Sequence, residues 1–405
     1  MNILFINSFD CSSNASGGVN RVVYRMSSKL KSDYGVACYL GFFEDTAARP
    51  LADFAGRIKL NRNFDDDAFD KFLTDNRIDI VHVNFLKKKN LPTIASIYKI
   101  AKRHNVKVVY AFHMCPGFQT VAYGSLEMVR FSFRRGSRIL PEITNLLKTS
   151  LSAILLPLER LILRNSYRIP YLNCDKIVVL SKEYIKPYMK LAGTNDSSKF
   201  TNIGNPLSFN EFLPADQMSS KKKQVLVVAR FDEDTKRLSI VLKAWRIIEK
   251  DKNLNDWQLV LIGDGRDMDF YRYLVGKYGL ERIVFTGQQQ PQLYYADAPI
   301  FLMTSSAEGW PMALSEATQM GCTPIVLDTF GSLHDLVQNG VNGIIIKNDT
   351  SGQVLAETII KLIGNPNRRE TLGLKSIELS HRFELDNIAT QWMKLYLEIT
   401  LSQHS

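Results

Sequence analysis

Short apolar runs alternate with longer mixed segments along most of the chain. In the first half they are Ile3–Ile6, Val36–Leu40, Ile80–Val83, Val106–Ala111 and Lys176–Leu180. In the second they are Val225–Val228, Gln258–Ile262, Arg282–Phe285, Ile300–Met303 and Thr323–Leu327. Apolar runs of this length, separated by stretches with helical spacing, predict βαβ units and parallel sheets. The pattern occurs twice, and the 405 residues exceed the size at which a single hydrophobic core stops growing, so two α/β domains are expected. Between the two series, Asn202–Lys223 holds Asn205-Pro206, Pro214 and the polar run Ser219-Ser220-Lys221-Lys222-Lys223, a composition suited to a linker. The expected division is 1–205, 206–382 and a C-terminal helix in 383–405, whose Leu385, Ile388, Trp392, Leu395 and Tyr396 have helical spacing.

Composition excludes several classes. The 45% apolar content is that of an ordinary globular chain. Cys11, Cys38, Cys115, Cys174 and Cys322 are scattered and never spaced as Cys-x-x-Cys, which argues against a disulfide framework or a zinc site and for a reducing, cytoplasmic compartment. The opening MNILFINSF has neither a basic stretch nor a long apolar run, so it reads as a first buried strand rather than a signal peptide.

The net charge of +10 is unevenly spread. Leu126–Tyr171 carries eight basic residues (Arg130, Arg134, Arg135, Arg138, Lys148, Arg160, Arg164, Arg168) against Glu127, Glu142 and Glu159. The same segment has Leu147, Leu151, Ile154, Leu155, Leu158, Leu161 and Ile162 at helical spacing, but its uncharged run Thr149–Leu158 is far below the ~20 residues that span a bilayer. Two readings stay open: a core-packed helix pair with a solvated basic face, or a basic amphipathic surface on anionic lipid, placing the protein on the inner face of the cytoplasmic membrane. Nucleic acid is not an expected partner.

Chemistry should follow the strands, because doubly wound sheets bind ligands where strand ends lead into helix N-termini. After Val225–Val228 comes Ala229-Arg230-Phe231-Asp232-Glu233-Asp234-Thr235-Lys236-Arg237, which brings two fixed cations to the mouth of the second domain. Without a divalent ion, charge developing on a departing phosphate must be met by such cations and by helix N-terminal amides. No histidine cluster is in place beside these loops to hold a metal, so none is expected. After Ile300–Met303 comes Thr304-Ser305-Ser306-Ala307-Glu308-Gly309-Trp310-Pro311-Met312-Ala313-Leu314-Ser315-Glu316-Ala317. A helix beginning near Trp310-Pro311 would put Glu308 in the loop and Glu316 about two turns into the helix.

This Ser-x-x-Glu-Gly-x-Pro-x-x-x-x-Glu-Ala stretch resembles the E-x7-E signature of the retaining glycosyltransferases of family 4, which have the GT-B fold of two Rossmann-like doubly wound domains facing each other across a cleft. The resemblance extends over nearly the whole chain. Gly17-Gly18-Val19 is similar to the family's N-terminal glycine loop, Val108–His113 to its strand ending in histidine, Cys174–Ser181 to a further strand, Gly263-Asp264-Gly265 to its Gly-x-Gly turn, and Arg230 with Lys236 to its phosphate-binding pair. The resemblance implies an acceptor-binding first domain, a second domain that binds a nucleotide-sugar donor, and a C-terminal helix packing back towards the first. It further implies that Arg230 and Lys236 bind the donor diphosphate, Glu308 contacts the transferred sugar, Glu316 binds the ribose, Gln288 lies near the base and His113 contacts the sugar. Gly17 and Gly18 would let backbone amides approach phosphate or acceptor. Arg230, Lys236, Glu308 and His113 are thus the implied catalytic set.

The activity implied is a hexosyl or N-acetylhexosaminyl transfer from a nucleotide-sugar to a glycan or lipid-linked acceptor, in surface polysaccharide or lipopolysaccharide synthesis. Glu-Gly-Trp-Pro-Met resembles the version common among UDP-sugar enzymes, and front-face substitution, with the departing phosphate oxygen taking the acceptor proton, is the implied route. Three departures bear on loop shape: Ala229 and Arg237 stand where the family has glycines, and Asn205-Pro206 replaces Asn-Gly. Competing readings are a nucleotide-sugar epimerase or phosphorylase of the same architecture, or an inactive UDP-binding subunit; the retained Glu308, Arg230 and Lys236 argue against the last. Gly263-Asp264-Gly265 lacks the third glycine of a dinucleotide fingerprint. His82 reads as a strand residue facing a polar neighbour, and His334-Asp335 has the look of a general-base pair.

Overall fold

The computed structural model describes residues 1–10, 18–44, 54–60, 64–84, 91–117 and 161–401. It divides into two compact units, one of residues 1–117, 157–206 and 382–405 and one of residues 118–156 and 207–381.

The sheet of the first unit holds seven described strands: β1 (Asn2–Phe9), β2 (Ala37–Glu44), β3 (Gly56–Lys59), β4 (Ile80–Asn84), β5 (Lys107–Phe112), β6 (Lys176–Val179) and β7 (Phe200–Asn202). Their order is β3-β2-β1-β4-β5-β6-β7, and all pairings are parallel. The order reverses between β1 and β4. Helices cover both faces of such a sheet, which is why β4 is buried at every position and reads as an almost unbroken apolar run. The sheet of the second unit runs β10-β9-β8-β11-β12-β13 and is also parallel throughout. Its strands are β8 (Gln224–Val228), β9 (Gln258–Ile262), β10 (Ile283–Gly287), β11 (Ile300–Met303), β12 (Thr323–Leu327) and β13 (Ile344–Ile346). Here the reversal falls between β8 and β11. Every strand predicted from the apolar runs is present; β3, β7 and β13 were not predicted, each being an edge or near-edge strand of three or four residues.

The last helix, Leu385–Leu401, belongs to the first unit. Its buried Ile388, Trp392, Leu395, Tyr396 and Ile399 share a core with Val22, Val23, Met26 and Leu30 of the helix Gly18–Tyr34 and with Ile3 and Phe5 of β1. Lys29 pairs with Asp386 at 2.7 Å at the rim of this contact. Beneath it, the buried His82 of β4 has a polar neighbour: its Nδ1 lies 2.6 Å from the Tyr396 hydroxyl, and its ring packs 4.7 Å from that of Trp392. Burial pushes the His82 imidazole down to about 3. The ring is therefore neutral in the folded chain, and Nδ1 shares one hydrogen bond with the tyrosine hydroxyl.

Two outcomes follow for the first unit. Replacing Tyr396 by phenylalanine leaves the buried Nδ1 without its hydrogen-bond partner and is expected to cost about 1–3 kcal/mol in urea unfolding. The unfolded chain binds a proton at His82 near pH ~6.5, whereas the folded chain does not until pH falls to about 3. Stability carried by this residue is thus present above pH ~6.5 and lost as pH falls below it. A His82→Gln variant should show a shallower loss than wild type between pH 7 and 4; parallel curves would refute the assignment.

Candidate active site

In the second unit the two cation-bearing and carboxylate-bearing loops leave neighbouring strands. β11 pairs with β8 through Ile300↔Val225 and Phe301↔Leu226, so the loops after Val228 and Met303 emerge side by side at the point where strand order reverses. The structure brings Lys236 and Glu308 together there as a hydrogen-bonded ion pair, with side chains 21% and 15% exposed. At this partial burial, screening by water is reduced and the attraction exceeds that of a surface pair. Arg230 lies in the same loop but stays 69% exposed, with Asp232 at 3.5 Å. One cation is thus fixed and the other free to turn toward solvent.

Glu316 is the fifth residue of the helix Met312–Gln319, which starts at Met312 after Pro311. The expectation of two helical turns is corrected to little more than one, because Trp310 and Pro311 stay outside the helix. Its buried carboxylate accepts a 3.1 Å hydrogen bond from the Tyr295 hydroxyl, an anchor that sequence reading missed. Gln288 sits exposed in the bend directly after β10. His334 does not pair with Asp335: its Nε2 lies 3.1 Å from Asp328, at the exit of β12, which corrects the apparent general-base pair.

The Gly-x-Gly turn after β9 has a packing role. Gly263 has φ +134°, and a Cβ there would lie 1.9 Å from the Ala229 carbonyl oxygen; a Cβ on Gly265 would lie 2.4 Å from that of Phe231. The Phe231 amide donates to the Asp264 carbonyl at 2.9 Å, and the Asp267 amide to the Phe231 carbonyl at 3.1 Å. Only glycine lets the Arg230 loop lie this close. The buried Asp267 carboxylate then accepts from the Glu233 amide at 2.7 Å, fixing the start of the short helix Glu233–Lys236.

The first unit assembles a different edge. His113, directly after β5, has its Nε2 at 2.7 Å from Asn84 Oδ1 at the end of β4, and Asn84 Nδ2 donates to Asn7 of β1. This chain of bonds gives His113 its proton on Nε2 and leaves Nδ1 as an unprotonated acceptor, buried and without a hydrogen-bond partner. Burial pushes the imidazole down to about 4, so it is neutral. Asn84 and Asn7 were not found from sequence; the signal was the asparagine that ends each apolar run. Gly18 is the first residue of the helix after β1. Gly17 and residues 126–160 of the basic segment lie outside the described residues. Arg237, noted as standing where a glycine is usual, has φ +51°. No positive φ occurs at Ala229, so that position makes no demand for glycine. Among the described residues no three His, Cys, Asp or Glu side chains gather as a set that could hold a metal ion.

Residues 209–378 match the family model described as glycosyl transferases group 1. The chain is 26% identical over 237 residues to a Campylobacter jejuni GalNAc-α-(1→4)-GalNAc-α-(1→3)-diNAcBac-PP-undecaprenol α-1,4-N-acetyl-D-galactosaminyltransferase, covering 57% of this chain and 62% of that one. It is 23% identical over 223 residues to the amylovoran biosynthesis glycosyltransferase AmsD of Erwinia amylovora, covering 54% and 61%. The match thus spans less than two thirds of either relative. In fold, the chain superposes with a TM-score of 0.73 on Anabaena Alr3699/HepE crystallised with UDP, at 17% identity, over 98% of this chain and 100% of that one. Residues 209–378 are therefore a glycosyl transferases group 1 domain, carried in a chain that has the GT-B fold.

Proposed function

We propose that this protein is a retaining glycosyltransferase that uses a UDP-sugar without a metal ion and transfers the sugar to a glycan or lipid-linked acceptor in surface polysaccharide or lipopolysaccharide synthesis. The observation that carries this reading is the Lys236–Glu308 pair in the loops after β8 and β11, with the exposed Arg230 in the same loop as Lys236. The diphosphate is met by Lys236 and by Arg230, which turns in from solvent. Glu308 faces the sugar, Glu316 the ribose and Gln288 the base. In the first unit, His113 is the candidate for a sugar contact, and the amides near Gly18 and Gly17 are the candidates for a phosphate or acceptor contact. UDP is supported by the ligand of the superposed Anabaena protein, and a lipid-linked acceptor by the undecaprenol in the name of the Campylobacter relative.

The bond from the anomeric carbon to the phosphate oxygen breaks while the acceptor oxygen joins the same face, and the acceptor proton passes to the departing phosphate. UDP leaves and configuration is retained. Glu308 is a poor nucleophile for the two-step alternative, because Lys236 holds its carboxylate charge. Catalysis then consists of positioning and of meeting the charge that grows on the leaving phosphate.

The direct experiment is incubation with a panel of UDP- and GDP-sugars, with and without lipid-linked acceptors, reading released nucleotide and the anomer of the product by NMR. Retained configuration with a UDP-sugar is the expected result; an inverted product or exclusive use of GDP-sugars would overturn it. Lys236→Ala and Arg230→Ala should each lower turnover about 10²- to 10³-fold with the fold intact by circular dichroism. Near-normal activity in both would remove the phosphate assignment. Turnover is expected to survive EDTA; loss that magnesium or manganese restores would refute metal independence.

We also propose that residues 126–171 rest on an anionic membrane surface. The support is their charge of +5, from the eight basic and three acidic residues named above. At the described end, Leu161, Ile162 and Leu172 are 54%, 42% and 52% exposed on helical residues 161–173, whose Leu163 and Tyr167 are buried. Each basic residue near such a surface contributes up to ~1 kcal/mol. Replacing Arg130, Arg134, Arg135 and Arg138 together with alanine should therefore sharply reduce co-sedimentation with anionic vesicles at low salt. Binding equal to wild type would remove the proposal.

A further inference from the structure

Three described residues other than glycine have positive φ: Arg77, Asn105 and Arg237. Of these, Arg237 is the one next to the candidate catalytic pair. A left-handed arginine costs backbone energy that glycine would avoid, so something must hold it there. Its side chain is 9% exposed, and three of its N–H groups have partners on other loops. Nε donates to the Thr304 carbonyl at 2.8 Å, Nη2 to the Ser305 carbonyl at 3.0 Å and Nη1 to Asn348 Oδ1 at 3.0 Å. Thr304 and Ser305 directly follow β11, and Asn348 follows β13.

The tie is reciprocal. Thr304 Oγ1 donates to the Lys236 carbonyl at 2.8 Å and to the Arg237 carbonyl at 3.2 Å. The Ser306 amide donates to the Thr235 carbonyl at 2.8 Å, and Ser306 Oγ to the Asp234 carbonyl at 3.1 Å. Thr329, after β12, adds a 2.6 Å bond to the Ser305 carbonyl that Arg237 also holds. Loops from four strands, β8, β11, β12 and β13, meet at one guanidinium or at the carbonyls it grips.

We propose that Arg237 is a positioning residue for the proposed sugar transfer: its three-way fork, made available by the left-handed backbone, sets the distance and orientation between Lys236 and Glu308. The inference rests on the glycosyltransferase reading for its catalytic consequence, but its structural content stands apart from it. Lys236 precedes Arg237 in the chain, and Glu308 lies three residues beyond the Ser305 carbonyl that Arg237 grips. Freedom in either loop would be felt at the pair. Only a planar fork can satisfy separately placed oxygens in this way, so lysine, with one rotating ammonium, is not equivalent. Misplacement by about an ångström at a reacting centre can cost on the order of a hundredfold in rate.

The test uses the full chain with Arg237→Gly, which accepts the left-handed backbone and removes only the fork, and Arg237→Lys, which keeps the charge. Both are expected to lower kcat ten- to a hundredfold while the donor KM changes less than about threefold, because Arg230 and Lys236 still bind the diphosphate. In hydrogen exchange by mass spectrometry, peptides covering 304–308 should exchange at least tenfold faster in Arg237→Gly, the Ser306 amide being the reporter, with the core strands β9 and β12 unchanged. A kcat within twofold of wild type in Arg237→Gly, or full recovery in Arg237→Lys, would overturn the role of the fork. If Arg237→Gly does not fold, Asn348→Ala, which removes one arm, takes its place with a smaller fall expected; unchanged turnover there has the same meaning. If wild type turns over no nucleotide-sugar, the functional reading fails, and the exchange measurement decides this inference: unchanged exchange at 304–308 refutes it.

Discussion

The second unit depends on one constraint of parallel sheets: residues far apart in sequence meet only where their strands are neighbours and only at the carboxyl edge. Lys236 and Glu308 are 72 residues apart, and they touch because β8 and β11 pair in register across the reversal of strand order. Had β11 been added beyond β10 instead, the same two side chains would sit at opposite ends of the sheet. The helices, the glycine turn after β9 and the Arg237 fork all act on this placement by limiting where the two loops can go once the strands have brought them close.

What was legible in the sequence follows from this division. Central strands announce themselves because both faces are covered and nearly every position is apolar, as in β4 and β12. Outer strands such as β3 and β13 are short, and β3 has no buried residue, so their pattern is too brief to separate from a loop. Charged residues after central strands were also readable, since Arg230, Lys236 and Glu308 have no packing reason to cluster there. The residues that hold them were not. Tyr295 lies on a different helix from the Glu316 it anchors, and nothing local to Arg237 shows that its oxygens come from residues 304, 305 and 348. Anchors are defined by tertiary contact, which a linear pattern does not carry.

The departures from the family pattern illustrate how a backbone demand can be met in two ways. A glycine accepts a left-handed φ because it has no Cβ, and it leaves the loop otherwise untied. Arginine at 237 accepts the same φ of +51° because its side chain is held at the far end. The substitution thus exchanges local ease for a connection between loops. Ala229 is the simpler case, a position whose backbone does not require glycine.

The two units share a strand order and differ in what they place at its reversal. In the second unit the groups are ionised: Lys236, Glu308 and Arg230. In the first, Asn7, Asn84 and His113 form a neutral chain, since burial holds His113 uncharged down to about pH 4, and the buried Asp10 that follows β1 is paired with Arg57 at 2.9 Å. Fixed charge suits a ligand whose own charge changes during reaction, as a leaving diphosphate does, because the stabilisation grows as the bond breaks. Neutral donors and acceptors suit hydroxyl-bearing groups, which must be oriented without being bound so tightly that they cannot leave. A neutral imidazole with its proton on Nε2 presents a lone pair on Nδ1 and no net charge. The same strand order therefore carries an ion pair at the exits of β8 and β11 in one unit and a neutral Asn7–Asn84–His113 chain at the exits of β1, β4 and β5 in the other.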